Sequence, residues 1–145
     1  MRLLLDSHIL LAIALKQLDA VSPSIARALA QPELDLAASA ASLWEIAIKA
    51  RLGKLDPGMP LGMLAEFFEA VGIGMLPITA SHAVAAVEPM PPTRDPFDRM
   101  LLAQCLVEGR RLVTVDHALR DHPLAARFEA KTSGAPNPKS PKTRP

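Results

Sequence analysis

Leu3-Leu4-Leu5-Asp6-Ser7-His8-Ile9-Leu10-Leu11 is the stretch on which the fold turns. Three consecutive leucines with no polar alternation read as a short strand buried on both faces. The apolar residues that resume at Ile9, Leu10, Leu11, Ile13 and Leu15 read as a helix, with Asp6 at the junction. Working outward, the same grammar repeats. Residues 34–38 form a second apolar run, with Ser39 or Ser42 as cap for a helix over 43–52 that Gly53 ends. Residues 73–78 predict a third strand and 112–115 a fourth, ending at Asp116, with a further strand near 125–128. Between them, Ser22-Pro23 opens a helix ending near Pro32, and residues 61–71 and 79–87 predict two more. Residues 89–93 read as a rigid loop, Asp95-Pro96 opens a helix running to Glu108 where Gly109 breaks it, and a short helix starts at His117. Short strands alternating with longer helices imply an α/β fold: a mainly parallel sheet with helices on both faces.

Composition bounds the rest. The 145 residues are half apolar, with 16 Lys and Arg against 15 Asp and Glu. That length suits one domain with a real core. Residues 131–145 hold four cations (Lys131, Lys139, Lys142, Arg144), four prolines and no acid, so the body before them carries a formal −3. The expected layout is one domain over 1–130 followed by a disordered, basic, Pro-rich tail over 131–145. The aromatics are Trp44, Phe67, Phe68, Phe97 and Phe128, with no tyrosine, which argues against a base-stacking module. One cysteine, Cys105, makes neither an internal disulfide nor a thiolate metal cage. No apolar run reaches the roughly 20 residues of a membrane span, and Asp6 and His8 interrupt any signal-peptide core. A cytoplasmic protein with no membrane contact is therefore expected.

Four acids fall at the starts or inner turns of these elements: Asp6, Glu45, Asp98 and Asp116. In doubly wound sheets ligands lie beyond the carboxyl ends of the strands, at the switch in strand order, and a common layout would bring all four there. Each also has an ordinary explanation. Asp6 can cap its helix, Glu45 can pair with Lys49 at i,i+4, Asp98 can favour the helix dipole, and Asp116 can cap a turn. As a cluster, four carboxylates repel unless a cation joins them. The cation implied is hard and oxygen-loving, Mg²⁺ or Mn²⁺, since zinc-like His or Cys spacing is absent. Such an ion suits phosphodiester hydrolysis.

Ser42-Leu43-Trp44-Glu45-Ile46-Ala47-Ile48-Lys49 with Gly53-Lys54-Leu55, and Arg94-Asp95-Pro96-Phe97-Asp98-Arg99-Met100-Leu101-Leu102-Ala103-Gln104, carry a resemblance. With Asp6-Ser7-His8 and Leu112-Val113-Thr114-Val115-Asp116 they stand in the order and at the separations of PIN-domain nucleases. The chain resembles in particular the VapC toxins of toxin–antitoxin pairs, up to about residue 128. The resemblance implies a PIN-like three-layer α/β/α sandwich. It implies a metal-dependent endoribonuclease in which Asp6, Glu45, Asp98 and Asp116 hold Mg²⁺ (or Mn²⁺), Asp6 and Asp98 most directly. Ser7 and Thr114 would orient a carboxylate or the attacking water, Asp95 would cap its helix, and Lys49 and Arg99 would contact substrate phosphate. RNA as substrate, a VapB-like antitoxin partner and a homodimer are implied with it. Ala12, Thr93 and Cys105 depart from common relatives, which have Trp, His and Ala there.

Competing readings fail on specific residues. A receiver domain needs paired acids after the first strand and a late lysine, and a phosphatase with an Asp nucleophile needs an acid where His8 stands. A catalytically silent PIN-like module that binds RNA or protein remains the alternative, because fold does not guarantee activity. How a body of net −3 would attract a polyanion is met by the metal together with Arg110-Arg111 or the tail.

Overall fold

The computed structural model describes residues 1–128; the tail expected over 131–145 lies outside the described residues. Four strands form one parallel sheet: β1 (Arg2–Leu5), β2 (Asp35–Ser39), β3 (Ile73–Leu76) and β4 (Arg111–Val113), in the order β3-β2-β1-β4. Leu4 is the register anchor, paired with Ala37 on one side and Leu112 on the other. The period of two divides the leucine run between two cores. Leu3 and Leu5 face one side with Ala38, Ile73 and Val113, while Leu4 faces the other with Ala37 and Leu112. All three leucines are fully buried, which is why the run shows no polar alternation.

Helices fill both sides and complete the three-layer α/β/α sandwich. On the Leu3 side lie α1 (Ser7–Ala14), α2 (Leu18–Val21), α3 (Pro23–Leu29), α4 (Ala40–Arg51) and α5 (Leu64–Ala70), through Ile9, Leu10, Leu18, Ile25, Ile46, Leu64 and Phe68. On the Leu4 side lies α7 (Pro96–Glu108), through Leu101, Leu102 and Cys105, with α6 (Ala80–Val84) packed on it. Capping chemistry sets the boundaries. Ser22 accepts from the Ile25 N–H with Pro23 at the first position, Ser39 rather than Ser42 caps α4, and Gly109 ends α7 at φ +67.

The structure differs from expectation in several places, β3 ending at Leu76 and α6 at Val84 among them. α2 is an additional single turn, whose first residue follows Gln17 without a side-chain cap. The segment before α5 is a 3₁₀ turn (Leu61–Met63) running into the α-helix. The fourth strand ends at Val113, so Asp116 lies three residues beyond it, held by a turn in which Thr114 Oγ1 accepts from the Asp116 N–H at 3.0 Å. After His117 the chain makes hydrogen-bonded turns rather than a helix, and the expected last strand is reduced to one bridge, Leu112 with Ala125.

Strand order makes the site. β2 and β3 lie on one side of β1 and β4 on the other, so the switch falls between β1 and β4. The backbone N–H of Asp6 reaches across it to the Val113 carbonyl at 3.1 Å. At the opposite end, about 13 Å away along four strand residues, Arg110 donates to the Leu3 carbonyl and to Asp35, whose carboxyl it holds below its usual range. Arg111 donates to the Pro123 carbonyl. Both arginines are thus engaged at the strand starts, at the far end of the sheet from the acids.

Candidate active site

Asp6, Glu45, Asp98 and Asp116 line one small cavity of about 60 Å³ at the carboxyl end of the sheet, together with Ser7, His8, Lys49, Asp95 and Leu101. Five carboxylates therefore face one ammonium. The four acids come from four elements: the β1–α1 junction, the second turn of α4, the first turn of α7, and the loop after β4.

Local hydrogen bonding fixes each one. Asp6, 4% exposed, accepts from the Ile9 N–H at 3.0 Å and so caps α1. Glu45 is buried and gripped on both oxygens: Ser7 Oγ donates to Oε1 at 2.6 Å and Lys49 Nζ to Oε2 at 2.8 Å. Thr93 Oγ1 donates to Asp98 at 3.2 Å, and Asp116 Oδ1 accepts from the Ala118 N–H at 2.8 Å. Asp95 caps α7 through the Phe97 N–H at 2.9 Å, as its place before Pro96 requires. The ordinary roles of Asp6 as cap and of Glu45 as the partner of Lys49 are thus real, and they coexist with convergence on one cavity.

The electrostatics record the crowding. Burial, then the Asp95 charge, with Asp116 and Glu45 adding, push the Asp98 carboxyl up to about 6 from 3.8. Burial raises Asp6 as well, against the Thr114 and Ile9 hydrogen bonds that favour its charged form. Lys49 is pushed up, chiefly by its hydrogen bond to Glu45. Perturbation of this kind, concentrated in a cleft, is common at functional sites.

Among the described residues, no group of three or more His, Cys, Asp or Glu side chains stands at a spacing that holds an ion as it is. Each carboxylate has its own partner instead: Ser7 and Lys49 bond to Glu45, Thr93 to Asp98 and the Ala118 N–H to Asp116. The donor set itself is all hard oxygen around a space that exceeds one water, which suits Mg²⁺ or Mn²⁺ and suits neither zinc nor copper.

Arg99 is the candidate that the structure places elsewhere. Its Nε donates to the Thr93 carbonyl at 2.9 Å, and its side chain lines a separate groove of about 380 Å³ between α6, residues 85–91 and the outer face of α7. Ser7 and Lys49 do line the acid cavity, whereas Thr114 does not line it and instead accepts from the Asp116 N–H. Thr93, noted in sequence only as a departure from common relatives, touches the site through its bond to Asp98. Its position two residues before the Asp95 cap, where its hydroxyl also accepts from the Asp95 N–H, is the signal that locates it. Cys105 is buried against the sheet with its thiol pushed up to about 12, and it takes no part in the site.

Comparison with known proteins agrees with this geometry. A family model described as PIN domain matches residues 3–123, which includes all four acids. Ribonuclease VapC22 of Mycobacterium tuberculosis (strain ATCC 25618 / H37Rv) is 38% identical over 92 residues, covering 61% of this chain and 68% of that protein. A parallel sheet with its acids at the β1–β4 switch, a family match over most of the chain and this level of identity converge: the chain belongs to the PIN-domain family and, within it, to the VapC proteins.

Proposed function

We propose that this protein is a metal-dependent endoribonuclease and the toxin of a toxin–antitoxin pair. The observation that carries the reading is the convergence of Asp6, Glu45, Asp98 and Asp116 on one cavity at the strand-order switch. Ribonuclease activity is in the name of its relative. Asp6 and Asp98 would hold a divalent cation most directly, with Glu45 and Asp116 completing the set. Bound there, Mg²⁺ or Mn²⁺ supplies Lewis-acid polarisation of the phosphodiester and acidifies the attacking water.

The chain's own residues do the positioning. The Ile9 N–H holds the Asp6 carboxylate, and the Ser7 hydroxyl holds that of Glu45. The clustered acids give the cleft a negative potential, which favours a divalent cation over a monovalent one. Lys49, the only ammonium lining the cleft among the described residues, contacts substrate phosphate when the strand arrives. The cognate antitoxin and a homodimer complete the proposal.

The test is cleavage of total cellular RNA by protein freed of contaminating nuclease, with Mn²⁺, with Mg²⁺ and with EDTA, for the wild type and Asp98→Asn. We expect cleavage that needs the cation and falls at least a hundredfold in the variant. Equal cleavage by both proteins, or cleavage undiminished by EDTA, overturns the reading.

A further inference from the structure

The chain has one tryptophan, and it is 61% exposed. A single exposed apolar side chain needs no explanation. Trp44 is different because of its partner. Its ring meets Phe97 edge-on, with centroids 5.5 Å apart and planes at 76°. Trp44 immediately precedes Glu45 on α4, and Phe97 immediately precedes Asp98 on α7. One helical position is a rise of about 1.5 Å and a turn of about 100°. The two rings therefore bridge the seam between the helices that carry two of the four acids, one step around each helix from the carboxylate. In a body with five aromatics, the only tryptophan stands open to solvent beside the acid cleft, while Phe68 is fully buried in the core.

Charge continues along the same face. Arg51 is exposed and lies seven residues after Trp44, on the same stripe of α4 and about 10 Å along it. Arg94 is exposed just before Asp95, on the α7 side of the seam. An acidic cleft flanked by an open aromatic ring and outlying cations matches a strand whose phosphate lies at the acids, whose neighbouring base leaves the backbone, and whose next phosphate lies outward. An apolar protein segment would use the rings but not the two exposed arginines.

We propose that Trp44, backed by Phe97, is a stacking platform for one unpaired nucleobase next to the phosphate held at the acids. This rests on the ribonuclease reading above and adds where the strand lies. Stacking tolerates any base, since every base has a π-face, so the platform orders the strand without selecting a sequence. It calls for a single-stranded or looped segment, because a base within a duplex cannot reach the ring.

Trp44 is its own reporter. Short oligo(U) and oligo(A) strands, 5′-labelled, and a ribose-phosphate strand of equal length lacking bases are titrated into the Asp98→Asn chain and its Trp44→Ala and Trp44→Phe derivatives. Label anisotropy reads binding, and tryptophan fluorescence, in the chains that retain Trp44, reads stacking. We expect saturable quenching by the base-bearing strands only. Trp44→Ala should weaken their binding about five- to hundredfold, leave the abasic strand unchanged, and be partly rescued by Phe. Binding with silent tryptophan fluorescence overturns the platform alone. Equal weakening for base-bearing and abasic strands also overturns it, since Trp44 would then only hold α4 against α7. Binding of no strand at all, with fluorescence responding instead to a copurified protein partner, overturns both this proposal and the ribonuclease reading.

Discussion

Asp98→Asn should make the cation-free protein more stable while it abolishes activity. The carboxyl at 98 is pushed up from 3.8 to about 6 by burial and by Asp95, Asp116 and Glu45. A shift of about two units corresponds to about 3 kcal/mol of disfavour for the charged form at neutral pH. Asp98 is only half-buried, so water screens part of this, and about half of it, near 1.5 kcal/mol, is a fair expectation. Asparagine keeps the shape and an oxygen that accepts from Thr93, and removes the charge. The sign follows from proton linkage. The folded state binds this proton more tightly than the unfolded state does, so wild-type stability falls as pH rises from about 4 to about 6. The assay is thermal unfolding in EDTA. At pH 7.5 the variant should melt about 5 °C above wild type. The gap should be roughly half as large at pH 5 and absent below about pH 4. Adding Mn²⁺ should reverse the order, because only the wild type then gains stability by binding it. A variant no more stable at pH 7.5, or a gap that does not shrink with acid, refutes the account of crowded carboxylates.

Three further outcomes follow from single side chains. Lys49→Met leaves the buried Glu45 with only Ser7, and because the Lys49 side chain is 42% exposed the loss should be about 1–2 kcal/mol in urea unfolding at pH 7, with no loss arguing that solvent already replaces the pair. Gly109→Ala should cost about 1 kcal/mol through its φ of +67 alone, since an added Cβ would meet only Arg2 Nη1 at 3.8 Å; a loss above 3 kcal/mol would mean the turn cannot relax. Cys105, buried with its thiol pushed up to about 12, should stay unmodified by a thiol-disulfide reagent at pH 8 until the protein unfolds, and native-state labelling within minutes would contradict that burial.

Elements with strong local causes were legible from sequence. The leucine run, the Ser22-Pro23 and Asp95-Pro96 openings and the Gly109 stop each depend on residues within a turn of one another, and each stands where expected. The end of β4 was not legible, because a strand lasts as long as its neighbour pairs with it: the β1 ladder stops at Leu5 opposite Val113, and Thr114 and Val115 continue the apolar run without a partner. α2 escaped notice for the opposite reason, being a single turn without a side-chain cap, packed through Leu18. Arg99 illustrates a third limit. Its neighbour Asp98 faces the acids, and one further helical position swings Arg99 to the Thr93 carbonyl and the outer groove. Sequence spacing places a residue on a helix, while packing decides which wall that helix presents.

The acids show why their structural and functional roles could not be separated in advance. A carboxylate that must stay charged near others needs donors, and the cheapest donors are backbone N–H groups at helix starts and short hydroxyl side chains. Asp6 takes the Ile9 N–H, Asp116 takes the Ala118 N–H, Asp98 takes Thr93, and Glu45 takes Ser7 and Lys49. Each bond looks like ordinary capping or pairing when viewed alone. Together they do something capping does not need: they hold four repelling groups at one end of one sheet, two of them with proton affinities raised above normal. A cap gains nothing from having three other carboxylates beside it. The caps explain how the acids are held, and their shared cavity at the strand-order switch points to what they are held for.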